Sequence, residues 1–309
     1  MTKRPSKKPG RTKASTSKRP TGKPKREHGR PKLPVSAEHQ GGQNTSTQLR
    51  HKRAKPPVIG ETISASSEAL YGKHSVRSVF LKRPNDVEKL ILAGKEDYHD
   101  DLINLAGRHD VPTYMTSWQD LEAAGNFDAN DKHQGVLAFV KLREIFSEAD
   151  FDRLSAAKCV LVLDQVSNPQ NLATIIRSAA FFHADAICYM KNRAATPTPE
   201  VVRFAVGGAE HVDLYQITNV ASVIQHLQEL GFWVLGLDER GEKTLAEHDL
   251  SQKTAFVVGA EGEGLRAKTK AYCSDLVRIP GGTEGVESLN AAVATTIALY
   301  EFSRLKEGG

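Results

Sequence analysis

Cysteine is scarce in this sequence, and long apolar runs are absent. The 309 residues include three cysteines, Cys159, Cys188 and Cys273, and none of them forms a CxxC pair. Zinc and redox sites are commonly built on such pairs, so we interpret the three as buried free thiols of a reducing cytosol. No run of about 18 apolar residues is present, so we expect no membrane-spanning helix. The N-terminus lacks the apolar stretch of a secretory signal, although its basic residues leave an Arg-rich transit peptide as an alternative. We therefore expect a cytoplasmic protein.

Histidine clusters are absent as well. His74, His133, His183 and His211 show none of the spacings by which histidines bind a metal. The sequence therefore predicts no metal site and no Ser/His/Asp triad, and we interpret the four histidines as surface or core residues.

Acidic residues are nearly absent from the first part of the chain. Residues 1–60 hold 17 Lys and Arg but only 2 Asp and Glu, whereas the other 249 residues hold 25 basic and 35 acidic side chains. Residues 1–57 consist largely of Lys, Arg, Pro, Gly, Ser and Thr, which cannot bury enough surface to offset ordering entropy, so we predict a disordered tail. A basic arm on an acidic body favours binding to a polyanion, nucleic acid first. A tail that serves only solubility is the alternative.

The remaining chain predicts two α/β domains joined by a charged linker at 141–157. The first, residues 69–142, has predicted helices at 70–81 and 97–109 and strands at 86–93, 111–114 and 135–140. The second, residues 158–309, has predicted strands at 159–164, 186–190, 232–237 and 254–259, and helices at 169–180, 219–230 and 288–304. Alternation of strands and helices indicates an α/β fold with a mainly parallel sheet. The uninterrupted apolar run that ends at Asp164 is typical of a parallel strand buried on both faces.

Three loops at predicted strand ends are unusual in composition, and ligands gather at such ends in open α/β sheets. The first loop, residues 164–171, is rich in amides and leads into a helix that carries Arg177. The second, residues 259–265, has glycines in a GxxGxG order together with two glutamates, and the third spans residues 279–290.

Each loop has a simpler interpretation beside the functional one. Carboxylates in the second loop would repel a pyrophosphate, so a ligand without phosphate fits better, for instance one with hydroxyls, an adenine and a cationic sulfonium. A tight turn with a helix cap is the alternative. Arg177 could bind a phosphate or lower the pKa of a substrate hydroxyl, or it could form a structural ion pair. Ser288 and Asn290 are placed to cap the last helix.

Taken together, the three loops resemble the motifs of the SpoU (TrmH) family of RNA ribose 2′-O-methyltransferases. The first motif covers Leu163–Leu172 and Ile175–Ala179, the second covers Val258–Leu265, and the third covers Ile279–Pro280 and Val286–Ala294. The segments 71–76 and 133–136 are similar to the family's RNA substrate-binding domain. Three ordered motifs across about 150 residues make the resemblance specific.

The resemblance implies an α/β-knot domain, trefoil-knotted with a mainly parallel sheet, preceded by the small substrate-binding domain and the disordered basic tail. It implies S-adenosylmethionine as methyl donor, no metal, and a homodimer that acts on RNA, rRNA before tRNA. Gly259, Ile279 and Leu289 would line the donor pocket. The motif-one arginine corresponds to Arg177, which would activate the ribose hydroxyl. The remaining expected catalytic residues, which position Arg177, the ribose and the knot loops, are Asn171, Glu261, Ser288 and Asn290.

This sequence departs from the family pattern in two places. Ala173 stands where the family commonly has glycine, and the loop Gly281–Gly285 is rich in glycine and one residue longer than in many relatives. These departures motivate an alternative from another class, a catalytically silent RNA-binding or ribosome-assembly protein that keeps the fold. A methyltransferase that modifies a base rather than a ribose is a third interpretation.

Overall fold

The computed structural model describes residues 66–127, 131–283 and 288–307. The predicted basic tail, residues 1–57, and residues 284–287 of the third loop lie outside these ranges. Within the described ranges, no helix combines the length and the apolar character that a membrane span requires. Cys159 and Cys188 are buried and form no disulfide, as predicted, whereas Cys273 is only partly buried.

The first sheet has four strands in the order β1-β4-β2-β3. Strand β4 runs antiparallel to β1 and β2, and β3 runs parallel to β2. The strands are β1 (Ser67–Tyr71), β2 (Val87–Ala93), β3 (Thr113–Thr116) and β4 (Val136–Lys141). The helices are α1 (Lys73–Lys82), α2 (Asp100–Arg108) and α3 (Trp118–Gly125). This arrangement confirms a small α/β layer and adds one strand and one helix to the prediction.

The predicted helix at 70–81 was wrong at its start, because residues 70 and 71 belong to β1. Gly72 lies between the strand and the helix with a φ of +88°, a backbone conformation outside the right-handed helical region. The apolar spacing that indicated a helix is correct from Lys73 onward, where Val76, Val79 and Phe80 are buried.

The predicted linker contains ordered structure packed against the second sheet. A 3-10 helix, Glu148–Ala156, begins with a capping box between Ser147 and Asp150. Oε1 of Glu148 accepts hydrogen bonds from the backbone N and the hydroxyl of Thr218, at 2.7 and 2.8 Å. Phe151 and Leu154 of this helix are buried, so the segment is fixed rather than loose.

The second sheet has seven strands in the order β7-β6-β5-β10-β8-β11-β9, and every pair in it is parallel. The strands are β5 (Cys159–Leu163), β6 (Ala186–Met190), β7 (Asp213–Ile217), β8 (Trp233–Leu237), β9 (Lys243–Thr244), β10 (Thr254–Val258) and β11 (Asp275–Arg278). The helices are α4 (Pro169–Phe181), α5 (Pro199–Phe204), α6 (Val220–Glu229), α7 (Ala267–Tyr272) and α8 (Ala291–Glu307). All seven carboxyl ends therefore point to one edge.

Strand β5 is buried on both faces, as its apolar run predicted. Leu161 and Leu163 pack in one core with α4 and α8, whereas Val160 and Val162 pack in a second core with α6. The last helix begins at Ala291 rather than at 288, because the side chain of Asn290 caps it: Oδ1 accepts hydrogen bonds from the backbone N of Ala292 and Val293.

Candidate active site

Two asparagines at the N-terminus of α4 have different roles. Asn168 is the N-cap, and its Oδ1 accepts a hydrogen bond from the backbone N of Gln170 at 2.8 Å. Pro169 follows at the first helical position, where a missing N–H costs nothing. Asn171, one turn later, is buried with 7 % of its surface exposed, and its side chain points into the contact between the three motif loops. The first loop thus fixes a buried amide at the carboxyl edge of the sheet.

A chain of side-chain hydrogen bonds joins the three motif loops. Nδ2 of Asn171 donates to Oε1 of Glu261 at 2.6 Å, and Oδ1 of Asn171 accepts from Nδ2 of Asn290 at 3.0 Å. Three of the five predicted catalytic residues, one from each loop, are therefore in direct contact. We call this set the amide–carboxylate chain.

Glu261 is held as a carboxylate. Burial raises the pKa of Glu261, but the hydrogen bonds from Asn171 and from the backbone N–H groups of Ser167 and Asn168 help to outweigh it, so the pKa lies below its usual 4.5. The carboxylate is therefore ionised at neutral pH, where it is a stronger hydrogen-bond acceptor than a neutral carboxyl group.

Beside this chain lies a cavity of about 820 Å³ at the carboxyl edge of the sheet. Six of the eight predicted site residues line it: Gly259, Glu261, Ile279, Ser288, Leu289 and Asn290. Among the described residues, the lining includes four carboxylates, those of Asp238, Glu239, Glu261 and Glu263, and two cations, those of Arg240 and Lys270. Its lining is therefore suited to a ligand that carries positive charge.

In the cavity wall, the backbone of Gly259 lies too close to the backbone of Gly264 for a side chain to fit between them. A Cβ at this position would lie 2.2 Å from the carbonyl carbon of Gly264, closer than real side chains approach. The loop after β10 folds back on itself there, with the backbone N of Gly264 bonded to the carbonyl of Ala260 at 2.9 Å. A glycine at 259 is thus required by the shape of the second loop.

A further wall of the cavity, at the carboxyl end of β8, was not predicted from the sequence. Leu237, Asp238, Glu239 and Arg240 all line the cavity, and Asp238 forms an ion pair with Lys270 of α7. The signal that could have found them is topological: β8 is parallel to β10, so its carboxyl end lies at the same edge.

Arg177 lies outside the amide–carboxylate chain. It is exposed on α4, it does not line the cavity, and the described residues include no ion-pair partner for it. The alternative of a structural ion pair is therefore not supported. Ser178, its neighbour, contacts α8 through a hydroxyl pair, with Oγ 2.8 Å from Oγ1 of Thr296.

Two further residues of the first motif, Ala173 and Asp164, contribute to the packing of the fold. Ala173 lies inside α4 without a positive φ and is 2 % exposed, so its methyl group packs in the core rather than on an RNA-facing surface. Asp164 is buried, and its carboxylate is bound by Arg266 at 2.6 Å and by the hydroxyl of Thr269 at 2.5 Å. This contact fixes the start of α7 directly after the second loop.

The four histidines lie apart from the cavity lining. His133 is buried in the first α/β layer, whereas His74, His183 and His211 are exposed. Within the described residues, no group of three His, Cys, Asp or Glu side chains is arranged to hold a metal ion.

Comparison with known proteins places both layers in recognised families. The model of the SpoU rRNA methylase family matches residues 158–300, and a model described as RNA 2′-O ribose methyltransferase substrate binding matches residues 69–146.

Curated relatives match across most of the chain. The 23S rRNA (guanosine-2′-O-)-methyltransferase RlmB of Pseudomonas syringae pv. tomato is 35 % identical over 243 residues, which cover 77 % of this chain and 95 % of that protein. The protein of the same name from Escherichia coli K12 is 34 % identical over 243 residues and is covered to 98 %.

Among solved structures, the SpoU methyltransferase AviRb from Streptomyces viridochromogenes, in complex with AdoMet, has the same fold. Its TM-score is 0.63 at 23 % identity, and the match covers 79 % of this chain and 92 % of that one. By the match of both layers and of the full-length relatives, this chain belongs to the SpoU family of RNA 2′-O-ribose methyltransferases.

Proposed function

We propose that this protein transfers a methyl group from S-adenosylmethionine to the ribose 2′-hydroxyl of a guanosine in 23S rRNA. The relatives that match it over three quarters of its length carry that activity in their names. We propose further that it acts in the cytoplasm as a homodimer. A domain division at 69–142 and 158–309, with a trefoil knot in the second part, belongs to the same proposal.

The observation that carries the proposal is the amide–carboxylate chain at the rim of the cavity. Asn171, Glu261 and Asn290 come from three different loops. Asn171 precedes Glu261 by 90 residues in the sequence and Asn290 by 119 residues. Glu261 and Asn290 line the cavity, and Asn171 binds both of them from behind the lining, so the hydrogen bonds join the three loops into a single preorganised site.

The cavity fits the donor in size and in charge. Small-molecule sites commonly measure about 300–1,000 Å³, and this one measures about 820 Å³. When bound, S-adenosylmethionine supplies a methyl group already activated by a positively charged sulfur. The excess of carboxylates favours that charge, and Gly259, Ile279 and Leu289 would hold the donor against backbone and apolar surface.

The work left to the protein is to orient the RNA and to make its 2′-hydroxyl a better nucleophile. A ribose hydroxyl is a weak nucleophile until its proton is removed or its oxyanion is stabilised. The guanidinium of Arg177, exposed and without an ion-pair partner among the described residues, would stabilise that oxyanion and bind a neighbouring phosphate. Ser288 would orient the ribose from the cavity wall.

A homodimer would bring Arg177 to a cavity that it does not line within its own subunit. The surface near α4 and α8 carries exposed apolar side chains, of which Phe181 is 74 %, Tyr300 53 % and Val293 45 % exposed. Phe182 and Tyr300 are in edge-to-face contact at 6.2 Å, which joins the two helices into one surface. Exposed apolar surface of this kind is typical of a subunit interface.

The test is methyl transfer from labelled S-adenosylmethionine to 23S rRNA that lacks the modification, followed by nucleoside mass spectrometry. We expect 2′-O-methylguanosine at a single position, and resistance of that linkage to alkali. A methylated base would support the third interpretation instead. No transfer by a folded dimer that binds S-adenosylmethionine and RNA would support the catalytically silent alternative.

A further inference from the structure

Four charged side chains meet between the first α/β layer and the second. Glu68 of β1, Arg83 at the end of α1 and Arg143 after β4 belong to the first layer and the segment that leaves it. Glu210, from a 3-10 helix between α5 and β7, is the carboxylate that the second layer contributes. Its side chain is 3 % exposed, and those of Glu68 and Arg143 are 8 % and 9 % exposed.

Glu210 uses both carboxylate oxygens across this contact. Oε2 lies 2.8 Å from Nε of Arg83, and Oε1 lies 2.9 Å from Nη2 of Arg143. Arg143 also donates through Nη1 to the carbonyl of Ala209 at 3.1 Å. Glu68 contacts the same two arginines more loosely, at 3.8 and 3.4 Å, and it does so within the first layer.

The segment that carries Glu210 also contacts α4, the helix of Arg177. A Cβ at Gly208 would lie 3.1 Å from the Cα of Arg177 and 3.1 Å from the carbonyl oxygen of Ile176. On its other side, a Cβ at Gly207 would lie 2.3 Å from Oγ of Ser78 in α1. Gly207 and Gly208 therefore lie in close contact with α1 on one side and with the backbone of Arg177 on the other.

We propose that residues 207–210 position the RNA-binding layer relative to Arg177, and that Glu210 is the positioning residue that fixes their place. This inference rests on the proposed function and adds a determinant of how bound RNA is presented to Arg177. The buried carboxylate of Glu210 is well satisfied in one relative position of the two layers only, because a shift takes it away from both arginines, whereas the arginines keep Glu68. The contact therefore selects one orientation of the RNA relative to the site.

The chain offers a matched control for this idea. Glu210→Ala and Glu68→Ala each remove one carboxylate from the same charge cluster, but only Glu210→Ala removes ion pairs that cross from one layer to the other. Neither residue lines the cavity. We expect Glu210→Ala to lower kcat for methyl transfer on the order of tenfold to a hundredfold, since small misplacements of reacting groups cost that much. Its affinities for S-adenosylmethionine and for RNA should remain unchanged. Glu68→Ala should keep kcat.

Comparison of kcat with the donor affinity in the two variants distinguishes a positioning role of Glu210 from a general structural role. A loss of kcat together with an equal loss of donor affinity, or equal losses in the two variants, would overturn the proposal. If either alanine variant does not fold, the isosteric pair Glu210→Gln and Glu68→Gln is compared with the same criteria. Glu210→Asp, which keeps the charge, should recover part of kcat.

A second measurement does not depend on activity. In Glu210→Ala, hydrogen exchange of the backbone amides should become faster in both α1 and α4. In Glu68→Ala, exchange in both helices should stay at the rate of the parent protein. If the parent protein transfers no methyl group, the proposed function fails, and the exchange data still decide whether residues 207–210 couple the two layers. Unchanged exchange in α4 of Glu210→Ala would refute the coupling.

Discussion

The amide of Asn171 offers the sharpest test of the site, because a second asparagine three residues earlier provides its control. Asn171→Ala removes the hydrogen bond to the carboxylate of Glu261 and the hydrogen bond from Asn290. Asn168→Ala removes the helix cap on Gln170 at the start of the same helix, and the side chain that it removes binds neither of the other two loops, because Asn168 contacts Glu261 through its backbone N–H. The two variants delete the same atoms within one turn of α4.

The magnitudes follow from the partners. A hydrogen bond to a charged group contributes about 1.5–3 kcal/mol and a neutral one about 1 kcal/mol. Glu261 and Asn290 are partly open to water, which restores some of the loss, so we expect Asn171→Ala to lower the free energy of unfolding by about 2.5 kcal/mol. Loss of the cap in Asn168→Ala should lower it by about 1 kcal/mol.

Donor affinity should separate the variants more clearly than stability does. Glu261 and Asn290 line the cavity, so loss of the contacts that fix them should weaken S-adenosylmethionine binding about tenfold, which corresponds to about 1.4 kcal/mol of lost preorganisation. Asn168→Ala should bind the donor like the parent. Urea unfolding and calorimetric titration measure the two quantities. Equal donor affinities in the two variants would refute the reasoning that the amide–carboxylate chain shapes the cavity.

Three further outcomes are expected. Gly259→Ala should abolish donor binding, because its Cβ would meet the backbone of Gly264. Gly262→Ala, whose Cβ would have nothing within 4 Å, should lower donor affinity only by the backbone strain of its positive φ. Calorimetric titration of both variants with S-adenosylmethionine measures the difference. Arg177→Ala should bind the donor normally but transfer no methyl group, and mixed dimers with Gly259→Ala should regain activity if Arg177 acts across the interface. Mixed dimers without activity would contradict that arrangement. Glu261 has a folded-state pKa below its usual 4.5, so its stabilising effect is complete above that pH and is lost as the pH falls through the folded value; unfolding free energies of Glu261→Gln should therefore depend less on pH below about 4.5 than those of the parent.

The buried strands and the amphipathic helices of the second layer were predictable from sequence, because their patterns are strong. Strand β6 was predicted with the bounds that the structure shows, Ala186–Met190. The elements missed there are short or charged: α5 and α7 have six residues each, β11 has four and β9 has two. Strand β7 begins at an exposed Asp213, and its buried residues, Leu214, Tyr215 and Ile217, are too few to indicate a strand alone. Tertiary pairing, not local pattern, makes these segments regular.

In the first layer, the omission of α3 has a different cause. Only Leu121 and Ala124 of this helix are buried, so its apolar period is too weak to be recognised. Its start was nevertheless encoded, since Ser117 caps the helix by accepting a hydrogen bond from the backbone N of Asp120. The cap at Ser117, rather than apolar periodicity, is the feature of the sequence that indicates this helix.

The candidate site was also predictable from the sequence only in part. The three loops were predictable because their residues are chemically unusual at strand ends, and six of the eight site residues indeed line one cavity. The wall at Leu237–Arg240 was not predictable from composition, because an acidic turn after a strand is common. It required the sheet order, which places β8 between β10 and β11. The place of Arg177 relative to the cavity likewise depends on three-dimensional packing.

The cap of α8 has a consequence for which substitutions the site can tolerate. Because two backbone N–H groups occupy Oδ1 of Asn290, only its Nδ2 is free to face Asn171. That donor fixes the orientation of the Asn171 amide, whose own Nδ2 must then meet Glu261. Donor and acceptor roles thus run in one direction, from the N-terminus of α8 to the carboxylate. Each position in this line has its role dictated by its neighbour, so a residue that reverses polarity at one position requires a compensating change at the next.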